Sequence, residues 1–350
     1  MDKQQLHEAI KKGDFPSEIS LADGDYSDTD LAGSLFMNVD FSGCNFSASD
    51  LEQSSFLECN LDNVNFDGCN LTGCTFSESE LSGGSFLKSH FKSTVFSECS
   101  MPLCLFSGSN ITEISFDKCD LKQANFDGCI ACFTNFYNCS LVSASFQQVN
   151  AERATFLECD MRDINLRDAI LIQTHFEKPV LPDYDFSGMD LTLAQFRDAD
   201  LVRCNFTGAN LTKAFFMNAN LKESCFDRVQ ADMAIFFGAR MIGSSFMYAS
   251  LNSCSMQEAE LIGVNFSHAC MEQAQLTDTK CEGAIFASAH LDYADFSNSH
   301  LKDCDFTSSS LFRANLHDVD SSNVIWDNSG KSLTLETDRK RYRAQHWAPK

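Results

Sequence analysis

The chain has 350 residues, 44% of them hydrophobic, enough for two ordinary globular domains, yet it uses Phe 32 times against two Trp and five Pro. Its formal charge of −23 argues against direct nucleic-acid binding, because neutralising phosphates needs a dense cationic surface. No apolar run nears the roughly 20 residues that cross a bilayer, and the opening MDKQQLHEAIKKGDF lacks the apolar stretch of a secretory leader. A cytoplasmic location where the chain is made is expected, with non-classical secretion left open.

Residues 1–20 read as a capping element. Asp2 to Lys12 has Leu6, Ala9 and Ile10 on one side of a short helix and Gly13 as its stop. Such a helix would shield an open β edge from pairing with other chains.

From Leu21 onward a large apolar residue recurs every fifth position: Leu31, Phe36, Phe41, Phe46, Leu51, Phe56, Leu61, Phe66 and so on to Leu316 and Trp326. About 60 pentads follow without insertion or deletion, a period that neither helices nor flat strands produce. Two residues before each centre stands a small one (Cys44, Cys59, Ala124, Ala209), and between them a polar one, often Asn or Asp (Asn60, Asp120, Asn210). This pattern resembles the pentapeptide repeat family, and ADLVRCNFTGANLTKAFF shows it well.

The resemblance implies an all-β fold, a right-handed quadrilateral parallel β-helix with four pentads per coil and with the centre and the small residue both pointing inward. About 15 coils at roughly 4.8 Å would make a rod on the order of 70 Å long. Phe dominates centres ending in 6 and Leu or Met those ending in 1, so four-sided coils would line two opposite faces with Phe stacks.

Two subarrays are expected, 21–176 and 191–327, about an irregular junction at 177–190. There Pro179, Tyr184 and Met189 fill the small slot and Pro182 removes another donor, which predicts a bulged loop. Residues 328–350 leave the pattern as a strand-like KSLTLET followed by DRKRYRAQHWAPK. That tail holds six cations against two carboxylates, a net of +4 that leaves −27 on the rest, and would either cap the last coil or grip a partner.

No catalytic, cofactor-binding or metal-binding residues are assigned. Thirteen of the 17 Cys fall in the small inward slot, where a reduced thiol serves as a small hydrophobe; Cys132 and Cys225 lie outside it. The eight His share no face at coil spacing, and no P-loop, nucleophile-elbow or zinc-protease motif occurs. The expected function is therefore a non-enzymatic interaction scaffold or adaptor for another protein, without cofactor or membrane span.

The opening LHEAIKKGDFPSEISLADGDYSDTDL resembles pentapeptide modules that accompany bacterial type VI secretion effectors. The alternative is a DNA-mimic pentapeptide protein that binds a type II topoisomerase such as gyrase, since the repeats approach two-thirds of the charge density of B-DNA. The expected partner-binding residues are Phe215, Met217, Met233, Ile235 and Phe237, which four-sided coils would merge into one apolar strip, and the tail cations Arg339, Lys340, Arg341 and Arg343. A homodimer is an alternative use of the strip.

Overall fold

A computed structural model describes residues 1–347; the tail cation Lys350 lies outside the described residues. The chain forms two compact units, residues 1–175 and Phe176 onward.

The first unit opens with α1 (Lys3–Lys11), started by a capping box in which Asp2 accepts from the Gln5 N–H and Gln5 reaches back to the Asp2 N–H. Leu6 is fully buried, the Tyr26 hydroxyl donates to the Met1 carbonyl at 3.0 Å, and His7 Nδ1 lies 2.7 Å from the Asp30 carbonyl. The helix thus covers the first coil, as its amphipathic pattern predicts.

One face of the unit carries strands β1 (Leu35–Met37), β2 (Ser55–Leu57), β3 (Thr75–Ser77), β4 (Val95–Ser97), β5 (Ser115–Asp117), β6 (Asn135–Tyr137) and β7 (Thr155–Leu157). β1 to β7 are parallel and each pairs with the next at an offset of twenty residues, as in Phe36↔Phe56 and Phe136↔Phe156. The same offset joins Asp40↔Asn60, Asn45↔Asn65 and Asp50↔Asn70. Four positions five residues apart each pair twenty residues on, which makes the coil four-sided.

The second unit has the same offset on four sides, as in Asp200↔Asn220, Asn205↔Cys225, Asn210↔Gln230 and Phe215↔Ile235. Strand β8 (His175–Glu177) spans the division between units, and β9 (Gln195–Arg197) lies in the second.

In a well-formed pentad such as residues 40–44 every backbone N–H has an acceptor. The N–H of the small slot closes the preceding corner (Cys44 to the Phe41 carbonyl, 3.0 Å). The polar residue between slot and centre, here the bridge residue, donates to the previous coil (Asn60 to Val39, 3.0 Å), while the centre and the second corner residue donate to the next (Phe41 to Asn60, 2.7 Å; Gly43 to Asp62, 2.8 Å). The remaining N–H, on the first corner residue, is taken by the bridge side chain: Ser42 donates to Asp40 Oδ1 at 3.1 Å and Asp62 to Asn60 Oδ1 at 3.1 Å. The recurring Asn and Asp are corner caps.

The second corner residue is left-handed, as at Gly43 (φ 67°) and Asn63 (φ 56°), the geometry of a type II turn. Among the described residues no Val, Ile or Thr adopts it, in keeping with the cost of a branched Cβ there.

Inward packing follows the sequence closely. Phe56, Phe76, Phe96, Phe116 and Phe136 stack at 4.8–5.0 Å and 3–9°, and a second stack runs through Phe86, Phe106 and Phe126 on the opposite face. Edge-to-face contacts join the two, as between Phe116 and Phe126 at 5.9 Å and 82°.

The bulged loop expected at 177–190 is absent. Lys178, Leu181, Asp183, Phe186 and Gly188 donate to the following coil at 2.7–3.0 Å, as in any other coil. Pro179 sits buried in the slot, where the N–H it lacks is only the corner bond, and its carbonyl still accepts from Asp200 at 2.9 Å. Pro182, like Pro102, occupies the first corner position, which suits its fixed φ and lacks the N–H needing a cap; the bridge residues there are accordingly Val180 and Ser100. Tyr184 and Met189 are the oversized slot residues, and both rise to half-buried positions.

At the C-terminal end KSLTLET is not a strand. Lys331–Leu333 is a short 3-10 turn, and Leu335 alone bridges, to Asn315. Helix α2 (Arg339–Gln345) follows, capped by Asp338. His317, 2% exposed, holds it: Nδ1 accepts from the Asp338 N–H at 3.1 Å and Nε2 lies 2.7 Å from Gln345 Oε1.

Candidate interaction surface

With centres and slots turned inward, Tyr184 and Met189 being oversized exceptions, the outward surface of the repeats is built from the bridge and corner residues. Phe215 and Ile235 are bridge residues paired in register, and the Phe216 N–H donates to the Ile235 carbonyl at 2.7 Å. The corners on either side stack likewise: Lys213 N–H to Asp232 at 3.0 Å, Asn218 N–H to Phe237 at 2.9 Å. The six outward residues flanking and crossing this side in two successive coils are therefore Lys213, Phe215, Met217, Met233, Ile235 and Phe237, apolar but for Lys213. Met233 is 53% exposed and the other four apolar residues are half-buried, above the buried Ala214, Phe216, Ala234 and Phe236. Gln195 precedes and Ser255 follows in the same bridge row, which bounds the strip.

The strip gives up local hydrogen bonding. On this same side Asp295 caps the Ser297 N–H at 2.9 Å and Asn315 the His317 N–H at 3.1 Å. Phe215 and Ile235 have no side-chain acceptor to offer Met217 and Phe237. Met233 also holds a left-handed corner (φ 60°), a conformation costing an unbranched residue about 1 kcal/mol that Gly would avoid.

The other expected residues, Arg339, Lys340, Arg341 and Arg343, are all exposed on α2. Sequence reasoning missed a third feature, a corner stack in which Tyr248 lies parallel to His268 at 4.8 Å with the Arg228 guanidinium 5.5 Å from its ring centroid. Its signal was available, since the three stand twenty residues apart at one corner position.

The thiols bear out their slot assignment, with two omissions, Cys270 and Cys281. All thirteen slot Cys are buried, as is Cys281 at a centre; Cys132 and Cys225 are half-buried, and Cys270, a bridge residue passed over in the sequence, is exposed. Burial pushes Cys69, Cys74, Cys129 and Cys204 up to about 12, and the hydrogen bond that Cys99 donates to Cys119, with burial second, raises Cys99 well above the usual thiol range. Thiols so held are poor nucleophiles and poor metal ligands. Among the described residues no three His, Cys, Asp or Glu converge as a metal site would require, and no helix is long and apolar enough to cross a membrane.

Stacked parallel pentads with an outward surface free to vary define a repeat solenoid. Residues 17–86 and 131–206 match the profile described as pentapeptide repeat region, and five overlapping segments from 190–228 to 289–320 match that described as pentapeptide repeats (8 copies). The chain belongs to the pentapeptide repeat family. Among solved structures it is similar to HetL, a pentapeptide repeat protein involved in heterocyst differentiation regulation from the cyanobacterium Nostoc sp. strain PCC 7120 (14% identity, TM-score 0.27, 97% of this chain and 98% of that one). It is similar also to QnrB1, a plasmid-mediated fluoroquinolone resistance protein (17%, TM-score 0.36, 55% and 84%), and to Rfr23 from the cyanobacterium Cyanothece 51142 (18%, TM-score 0.18, 40% and 88%). No curated protein matches the sequence.

Proposed function

We propose that the chain is a non-enzymatic scaffold that binds another protein through the strip of Phe215, Met217, Met233, Ile235 and Phe237. One observation carries this reading: in the bridge row where Asp295 and Asn315 act as corner caps, two successive positions are given over to large apolar side chains, stacked in register and flanked by further apolar corners. A residue choice that sacrifices local bonding and exposes apolar surface fits selection for contact better than selection for folding. Of the partner classes raised by the sequence, a type VI secretion effector met in the bacterial cytoplasm suits the chain better than a topoisomerase, because the four exposed cations of α2 have no use on a duplex mimic.

The test is capture of partners from the native cytosol by wild type and by Phe215→Asn/Ile235→Asn. A protein retained by wild type and lost from the variant, at unchanged unfolding temperature, supports the reading. Equal capture by both removes the strip from consideration.

A further inference from the structure

Charge is distributed unevenly along the chain. Residues 13–87 contain fourteen Asp and Glu and no Lys or Arg. Among the described residues none of these carboxylates has a Lys or Arg within ion-pair distance, whereas later coils carry pairs such as Lys118–Glu98 (2.7 Å) and Arg203–Asp183 (2.6 Å). Glu58, Glu78 and Glu80 are exposed, the first two at the same corner of successive coils. Beside them, on β1, Leu35 and Met37 are 40% and 41% exposed. The first coils thus show an apolar spot bordered by unpaired carboxylates.

The opposite combination stands on α2. Gln345 and His346 tie the helix to His317 and Asp318, which turns Arg339, Lys340, Arg341 and Arg343 to solvent. None of the four has a carboxylate within ion-pair distance among the described residues, and Tyr342 (41%) and Trp347 (74%) are exposed with them. No residue of α2 is buried. The helix holds aromatic surface bordered by unpaired cations.

We propose that α2 docks on the first coils of a second copy of this chain, with Tyr342 and Trp347 against Leu35 and Met37 and the four cations against Glu58, Glu78, Glu80 and their neighbours. Net charge does not forbid it, since beyond about 8 Å at physiological salt only local charges count. The apolar spot favours this occupant over a phosphate backbone, which offers charge but no greasy counterpart to Trp347. A helix of seven residues is small beside a standard interface of about 1,600 Å², so the contact is weak and salt-sensitive. It is also heterologous: each docking leaves one acidic end and one α2 unused, so copies join head to tail beyond a dimer.

Sedimentation of the full chain from about 1 to 100 μM tests this, at about 20 mM and about 500 mM salt, where screening lengths are roughly 20 Å and 4 Å. Wild type should grow past two copies at low salt and return to monomer at high salt. Neutralising one side, by Glu58→Gln/Glu78→Gln/Glu80→Gln or by Arg339→Gln/Lys340→Gln/Arg341→Gln/Arg343→Gln, should leave each variant monomeric with an unchanged circular dichroism spectrum. An equimolar mixture of the two should form a two-chain species and stop there, because the remaining ends are disabled. Phe215→Asn/Ile235→Asn should assemble like wild type, which separates this contact from the strip. A monomeric wild type overturns the proposal, as do variants that still assemble, a mixture that stays monomeric, or an α2 that instead binds vesicles containing phosphatidylserine or a single-stranded RNA while the chain stays monomeric.

Discussion

The two units fill the same inward slot differently. In residues 1–175 ten buried Cys and only four Ala occupy it, the latter being Ala124, Ala144, Ala154 and Ala169; from Phe176 onward three Cys and fifteen Ala do. Both choices bury completely, and the backbone shows why they interchange. The centre carbonyl of each pentad already accepts the corner N–H, so a thiol or hydroxyl from the next coil is an optional second donor: Cys74 Sγ lies 2.8 Å from the Leu51 carbonyl, and Thr94 Oγ1 2.8 Å from the Leu71 carbonyl. Ala omits that donor and leaves no acceptor unpaired. The slot specifies volume and little else, so the units should match in core energetics and differ in whatever depends on sulfur.

The largest expected effect tests the matching half. Phe116 in the first unit and Phe216 in the second each stack between two Phe of their own row and meet two more edge-on. Replacing either by Ala should cost about 2 to 5 kcal/mol, read from the urea midpoint. Lys213→Ala, at an exposed corner, should change stability by less than about 0.5 kcal/mol. A twofold difference between the two Phe variants would show that the slot residues, thiol or methyl, do alter how the core relaxes.

The next effect belongs to the differing half. Thiols raised from the ordinary value near 9 to about 12, as at Cys69 and Cys74, bind their protons more tightly folded than unfolded. Their contribution is fully present below the unfolded pKa and is lost as pH climbs from about 9 toward 12. With nine slot thiols so raised in the first unit against three in the second, amide exchange should accelerate more steeply between pH 8 and 10 in the first unit, after correction for intrinsic rates. Parallel acceleration in both would mean that the thiols do not set alkaline stability.

A smaller and purely local effect is expected in labelling. At pH 7.5 a bulky maleimide should modify Cys270 first, Cys225 and Cys132 more slowly, and the other fourteen only after denaturation. Mass spectrometry of the labelled peptides gives the order. Fast modification of Cys99 or Cys139 in native protein would contradict the closed slot.

Much of this was legible in the sequence, and the boundary of legibility is physical. Centres and slots show in the letters because volume inside a four-sided coil is tightly constrained, and Phe56 or Cys59 has few substitutes. Outward roles are harder to read because they depend on bonds that the pattern does not name. Asn60 and Asp120 look merely polar until the corner N–H each can reach is known, and Pro182 looks disruptive until its position proves to be the corner that needs no N–H. His317 was invisible for the same reason: its partners Asp338 and Gln345 lie outside the repeat. The strip at 213–237 could be placed because register alone decides which residues twenty apart become neighbours.

The smallest effect is the most diagnostic, because it has an unusual sign. At an ordinary exposed bridge position an apolar residue contributes little, and exchanging it for a polar one should be neutral. Phe215 and Ile235 stand where Asp295 and Asn315, in the same row, accept a corner N–H at 2.9 and 3.1 Å. Asn introduced at either site can make the same bond to Met217 or Phe237, worth about 0.5 to 1.5 kcal/mol per hydrogen bond. Against this stands the loss of partial burial of one large side chain on its neighbour, a similar amount for a half-buried residue. Phe215→Asn/Ile235→Asn should therefore unfold at the same denaturant concentration as wild type or slightly higher, while losing whatever binds the strip. A clear loss of stability would show that the two side chains hold the coils together, and their apolar character would then belong to the fold.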